Sequence, residues 1–104
     1  MNTRVIDWLI SSNKGEPILE WAVNNNKPIL IKNLLKHPHI KINYKVLKLA
    51  VLRDNIEIMT ILLANTILVE SEYEWLIKIA NKTGNDEMSN FIQKIRDKKI
   101  IKNI

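Results

Sequence analysis

The sequence predicts an all-helical protein made of stacked antiparallel helix hairpins. Three observations carry that expectation. Apolar residues recur at helical spacing along the chain, start and stop signals punctuate them at short intervals, and the two-helix pattern between those signals repeats. With 104 residues the chain suits one compact domain. Its 46% hydrophobic and 26% charged residues are the balance of a folded protein. Two glycines and three prolines are too few for a linker or a disordered tail.

The apolar stripes run in order. Val5, Ile6, Leu9 and Ile10 form the first, Ile18, Leu19, Ala22 and Val23 the second, and Leu30, Ile31, Leu34 and Leu35 the third. Val46, Leu47, Leu49, Ala50 and Val51 follow, then Ile58, Met59, Leu62 and Leu63. Leu76, Ile77 and Ala80 come next, and Met88, Phe91, Ile92 and Ile95 end the series. These are the i, i+3, i+4 intervals of one helix face rather than the alternation of a strand. Pro17 and Pro28 suit first helical turns, where a missing N–H leaves no bond unmade. Asn43 and Asn55 suit N-caps, and Ser71 with Glu74 reads as a capping box. Lys14-Gly15, Asn24-Asn25-Asn26, Arg53-Asp54 and Thr83-Gly84 read as turns. Together these signals predict about seven short helices, near 3–12, 16–25, 28–36, 45–53, 56–65, 72–82 and 86–97. Helices this short are not stable alone in water, so each must bury its apolar face on neighbours. Tight turns such as Asn26-Lys27 force antiparallel hairpins, and the longer stretch from His37 to Asn43 separates one hairpin from the next.

The hairpins align with one another. At an offset of 28 residues, Leu19, Ala22 and Val23 fall on Leu47, Ala50 and Val51, and Leu30, Ile31, Leu34 and Leu35 fall on Ile58, Met59, Leu62 and Leu63. At a further offset of 30, Leu47-Lys48-Leu49-Ala50 meets Ile77-Lys78-Ile79-Ala80, and Asn55, Glu57 and Ile58 meet Asn85, Glu87 and Met88. The opening Val5–Ile10 matches Ile58–Leu63. The expected division is a half unit at 2–12, units at 16–43, 44–71 and 72–99, and a tail at 100–104. The recurring Ala22, Ala50 and Ala80 suit close approach of paired helices, and one unit completes its core only by stacking on the next.

These repeats resemble those of the ankyrin family. Leu47-Lys48-Leu49-Ala50-Val51 is similar to its first-helix signature, and Ile58-Met59-Thr60-Ile61-Leu62-Leu63 to its second-helix pattern. Leu34 to Asn43 resembles the link between its repeats. The resemblance spans about residues 2–97 and is best over 44–63. It departs from the family where Glu20, Lys48 and Lys78 replace the usual His, where the second and third copies lack Thr-Pro, and where units of 28–30 residues replace the usual ~33. The missing residues come from the link, so the projecting β-turn fingers are expected to be vestigial or lost. The resemblance implies an ankyrin-like solenoid that binds another protein through the concave face of its first helices. On that face it places Asn24, Asn25, Leu52, Arg53, Lys82 and Thr83, with His39, Lys41, Tyr44 and Tyr73 extending it from the loops. Trp21 is expected to be partly core, with Trp8 and Trp75 as capping surface. Uncovered repeat ends, including Ile100, Ile101 and Ile104, allow a homo-oligomer.

The residues offer no catalytic constellation, so an enzyme, a cofactor and a metal are not expected. The chain has no cysteine, which excludes disulfides, thiol nucleophiles and thiolate zinc sites and suits a reducing intracellular compartment. His37 and His39 flank Pro38 without further metal-ligand spacing. Glu70, Glu72 and Glu74 suit the positive end of a helix dipole better than an acid–base pair. Nothing near Ser11 or Ser12 would activate a hydroxyl, and Gly15 and Gly84 are isolated rather than part of a phosphate loop. No apolar run approaches the ~20 residues that cross a bilayer, and Met1–Asp7 turns acidic too early for a secretory signal. The net charge of +5 and pI near 9.6 allow acidic partners. A basic helical nucleic-acid-binding protein is therefore the alternative function, with Lys94–Lys102 as its most basic stretch. Abundant isoleucine, lysine and asparagine match AT-rich coding sequences, as in many viruses and intracellular parasites. The resulting expectation is a small intracellular inhibitor or adaptor, in the cytoplasm, host cytoplasm or nucleus, that binds a host or partner protein.

Overall fold

A computed structural model describes residues 16–101, with side chains described for 18–99. The expected first helix near 3–12, with Trp8, lies outside the described residues. Six helices and no strand form among the described residues: α1 (Glu16–Asn24), α2 (Pro28–Leu34), α3 (Tyr44–Leu52), α4 (Ile56–Ala64), α5 (Glu70–Lys82) and α6 (Asp86–Ile101). The protein is all-α. Each of the six lies where its apolar stripe predicts. The largest difference is the end of α6, four residues later than expected, followed by the start of α5 and the end of α2, each two residues earlier.

Local chemistry explains most helix starts. Asn43 and Asn55 are the N-caps of α3 and α4, and their side-chain oxygens accept the Val46 and Ile58 amides at 2.9 and 3.0 Å. Pro28 opens α2, where no side chain caps the amides. The expected cap at Ser71 is displaced. Helix α5 starts after Val69, whose amide donates to Glu72 Oε1 at 2.8 Å. Glu72 thus supplies the reaching-back arm of a capping box, and Ser71 lies inside the helix. Valine has no oxygen to complete the reciprocal arm.

The three hairpin turns share one hydrogen-bonded geometry. Asn26, Asp54 and Gly84 each adopt the left-handed conformation, with φ of 52°, 52° and 78°. The residue after each returns its amide to an alanine carbonyl five residues back: Lys27 to Ala22 at 2.9 Å, Asn55 to Ala50 at 3.3 Å and Asn85 to Ala80 at 2.8 Å. Asn26, Asp54 and Gly84 themselves donate to Val23, Val51 and Asn81. This pair of bonds is the Schellman ending of a helix, which satisfies carbonyls the helix would otherwise leave open. The three alanines that accept these bonds are fully buried.

Within each hairpin the two helices pack together, and successive hairpins are in contact. Helix α1 packs on α3 and α3 on α5, while α2 packs on α4. Asparagines link successive hairpins. Asn55 Nδ2 donates to Asn26 Oδ1 at 2.8 Å, joining two successive turns. Asn85 Nδ2 donates to the Val51 carbonyl at 3.1 Å, joining the third turn to α3. At the other end of the second layer, Lys99 Nζ reaches from α6 to the Leu63 carbonyl at 2.6 Å. A cation there complements the negative end of α4. Leu19, Ile31, Leu34, Leu47, Ile58, Met59, Leu62, Leu63, Leu76, Met88 and Ile92 are buried in one continuous core. Each such side chain stabilises the fold by about 1.5–3 kcal/mol through removal from water.

The second expected unit boundary shifts with α5: that helix opens at Glu70, so a break between 71 and 72 would cut it. The side chains of Ile100, Ile101 and Ile104, expected at an uncovered apolar end, lie outside the described residues; the exposed residues of α6 are Asp86, Glu87, Asn90, Lys94, Asp97 and Lys98.

The turns yield a paired test. Asp54→Gly removes a side chain from a left-handed position and is expected to stabilise the protein by about 0.5–1 kcal/mol in chemical denaturation. Gly84→Ala is expected to cost about 1 kcal/mol. A Cβ at Gly84 would meet nothing within 4 Å, so the cost there is conformational. Equal effects of either substitution, or a reversed sign, would contradict the shared turn geometry.

Candidate interaction surface

Helices α1 and α3 are in contact, and so are α3 and α5. Helical spacing places Tyr44, Lys48 and Leu52 in a row along α3, and Trp75, Lys78 and Lys82 in a row along α5. All six are exposed. The rows are joined at one end by an edge-to-face contact between the Tyr44 and Trp75 rings, with centroids 5.7 Å apart. Toward the other end of the two helices, Asn85 in the turn after α5 donates to the buried Val51 carbonyl of α3. Helix α1 adds Trp21 and Asn24 alongside. It is tied to α3 by Arg53 Nε, which donates to Asn24 Oδ1 at 3.3 Å, and by a 3.4 Å ion pair between Lys45 and Glu20.

These three helices leave large apolar side chains in water: Trp21 at 49% exposure, Tyr44 at 56%, Leu52 at 45% and Trp75 at 37%. Trp21, expected to be partly core, is half exposed. The neighbouring Ala22 and Val23 fill the buried side of α1, which leaves the indole facing outward. The other exposed apolar residues, Ile29, Ile67 and Val69, lie at the start of α2 and in the link before α5.

Nine of the ten residues expected to face a partner are exposed: Asn24, Asn25, His39, Lys41, Tyr44, Leu52, Arg53, Lys82 and Thr83. The tenth, Tyr73, is fully buried and forms no part of a surface. Because α5 begins at Glu70, Tyr73 sits in its first turn on the same face as Leu76 and Ala80. The 73, 76, 80 spacing is the signal in the sequence that points to this placement. Several of the nine also have structural work. Asn25 Nδ2 donates to the Trp21 carbonyl at 2.8 Å, and Thr83 Oγ1 to the Ile79 carbonyl at 3.0 Å, so both close the ends of their own helices. His39 and Lys41 lie in the link before α3, away from the two rows. The His39 amide donates to His37 Nδ1 at 3.2 Å, which commits that nitrogen as an acceptor. Lys48, Lys78 and Trp75 belong to the rows but lie outside the expected set. The i, i+4 step from Tyr44 and the i−4 step from Lys82 lead to the two lysines.

The Tyr44 hydroxyl donates to Glu72 across the α3–α5 boundary. That bond, reinforced by the Val69 amide, holds the Glu72 carboxyl below the usual carboxylate range. The same bond, with the carboxylate charge, raises the Tyr44 phenol. Burial raises the Tyr73 phenol, with the Glu72 charge adding to it. The Tyr73 hydroxyl is buried and, among the described residues, has no hydrogen-bond partner.

Among the described residues no group of three or more His, Asp or Glu is placed to hold a metal ion. A shallow groove between α2 and α4 is lined by Lys32, Glu57, Thr60, Ile61, Ala64 and Asn65. Its Thr60 hydroxyl and Asn65 amide donate to carbonyls of their own helix at 2.7 Å. No helix of the described residues is long and apolar enough to cross a membrane.

Neither a protein-family model, nor a curated protein, nor a solved structure matches this chain. The ankyrin resemblance therefore rests on the repeats within the chain itself.

Two substitutions test the site's chemistry. Tyr73→Phe removes an unpartnered buried hydroxyl and is expected to stabilise the protein by about 1 kcal/mol. A phenol raised in the folded state stabilises it fully below the ordinary value of 10.0, and that contribution is lost as pH rises through the raised value. The wild type should therefore lose stability above pH 10, and Tyr73→Phe should flatten that loss. A destabilised Phe variant would show that the hydroxyl is satisfied. For Tyr44→Phe, the lowered Glu72 carboxyl sets the sign. Its contribution is present above the ordinary value of 4.5 and fades as pH falls through the lowered one. The variant should melt below wild type at neutral pH, and the gap should close in acid. A gap that is constant from pH 7 to pH 2 would rule out the Tyr44–Glu72 bond as its source.

Proposed function

We propose that this chain is a protein-binding module of divergent ankyrin type, an intracellular inhibitor or adaptor that captures a partner on the outer face of its first helices. The observation that carries this reading is the set of contacting helices α1, α3 and α5, on which Trp21, Tyr44, Leu52 and Trp75 stand exposed among lysines. Aromatic side chains on a pre-organised backbone are the residue types that most often anchor protein interfaces. Registered hairpins with a repeated turn support the ankyrin-like stack. A stack of this size offers a small surface, which suits one-to-one capture of a partner rather than scaffolding.

The test uses the full chain as bait in cells that express it, followed by titration of the recovered partner against variants. Leu52→Asp with Trp75→Ala is expected to weaken binding at least about tenfold, since each anchor side chain contributes above 1 kcal/mol at such interfaces. Trp75→Ala also gives up the ring contact with Tyr44, so a small fall in melting temperature with the fold retained is expected. Arg53→Glu with Tyr44→Ala should act in the same direction, with some loss of stability through the broken ties to Asn24 and Glu72. Unchanged affinity in the first variant would sink the proposal.

A further inference from the structure

The two rows of exposed side chains differ in charge along their length. Lys48, Lys78 and Lys82 are exposed and have no ion-pair partner among the described residues. They occupy the middle and the turn end of the rows. Glu70 and Glu74, also exposed and without an ion-pair partner, stand at the start of α5 beside Trp75. The remaining charges nearby are largely committed within the chain: Lys45 to Glu20, Glu72 to Tyr44 and Val69, and Arg53 to Asn24. Asp54 lies past Leu52 in the turn, beyond either row. The surface is therefore bipolar, with carboxylates at one end, ammonium groups toward the other, and Tyr44, Trp75 and Leu52 as apolar contacts along it.

We infer that the partner segment is itself bipolar: an acidic stretch lies against Lys48, Lys78 and Lys82, an apolar side chain packs between Tyr44–Trp75 and Leu52, and a basic side chain meets Glu70 and Glu74. This inference deepens the protein-binding reading and rests on it. Uncompensated charges of fixed position select partners and set their orientation, because like charges brought together are costly. From Glu70 to Lys82 the helix rises about 18 Å, the length of three turns of a partner helix or of about five extended residues. A single-stranded nucleic acid fits less well. Its phosphates would favour the lysines and the aromatic rings, but its uniform charge would bring phosphates onto Glu70 and Glu74.

The experiment selects random 12-residue displayed peptides against the immobilised full chain. Synthetic copies of the enriched sequences are then titrated against variants, with a fluorescent fifteen-nucleotide oligothymidine as a second probe. The expected peptides carry Asp or Glu at one end, Lys or Arg at the other and an apolar residue between. Their affinity should fall at least tenfold for Lys78→Glu with Lys82→Glu, and recover when the acidic end of the peptide is changed to lysine. Peptides that lose binding to Leu52→Asp but ignore the lysine reversal would overturn the bipolar partner and leave the protein-binding reading standing. No enrichment, or peptides indifferent to Leu52→Asp, would overturn both. Oligothymidine that binds through the same lysines, with affinity falling steeply in salt and no peptide competing, would replace both with nucleic-acid binding.

Discussion

The hairpin turn is the constraint on which the rest of this structure depends. A left-handed residue ends each first helix, and the following amide closes onto the carbonyl of a buried alanine. That closure reverses the chain within three residues and directs the second helix back along the first. The same alanine, having no side chain beyond Cβ, lets the two helices approach. One backbone position thus both closes the turn and sets the packing distance. The asparagine after the turn extends the effect. At Asn55 the amide closes the Schellman bond, the side-chain oxygen caps α4, and the side-chain nitrogen reaches the preceding turn at Asn26. Local geometry and hairpin-to-hairpin register are therefore set by the same residue.

The exposed surface follows from that register. With α1, α3 and α5 held side by side, residues distant in the chain become neighbours. Tyr44 meets both Glu72 and Trp75, and Arg53 meets Asn24. None of these contacts is local, and each depends on how neighbouring hairpins pack. Rigid backbone beneath an aromatic side chain lowers the entropy lost when a partner docks. The side chains that do not face a neighbouring hairpin remain in water, and these include Leu52 and the unpaired lysines.

Much of this fold was legible in the residues. The i, i+4 stripes located six of the helices within the described residues, and Asn43, Asn55 and Pro28 marked where three of them start. The repeated Ala22, Ala50 and Ala80 are the fully buried residues whose carbonyls accept the turn amides. The surface was harder to read. Tyr73 has the same side chain as Tyr44, yet one is fully buried and the other more than half exposed. The difference is a question of helix phase. The expected helix near 72–82 already contained Tyr73, and in that helix its spacing to Leu76 and Ala80 places it on the buried row rather than in a loop. Trp21, expected to be partly core, is half exposed, because its neighbours Ala22 and Val23 already fill the inward side of α1.

The sequence alone determined which segments are helical, where the turns fall and which small residues recur beside them, because spacing, caps and left-handed turn residues act within a few positions of the chain. Only the tertiary structure decided which polar and aromatic residues face each other across hairpins. Asn55 with Asn26, Tyr44 with Glu72, and Lys99 with the end of α4 are 29, 28 and 36 residues apart. At that separation no local preference acts, and the relative rotation and spacing of packed helices select the pairs. The same packing brings Tyr44 and Trp75, on separate hairpins, into ring contact.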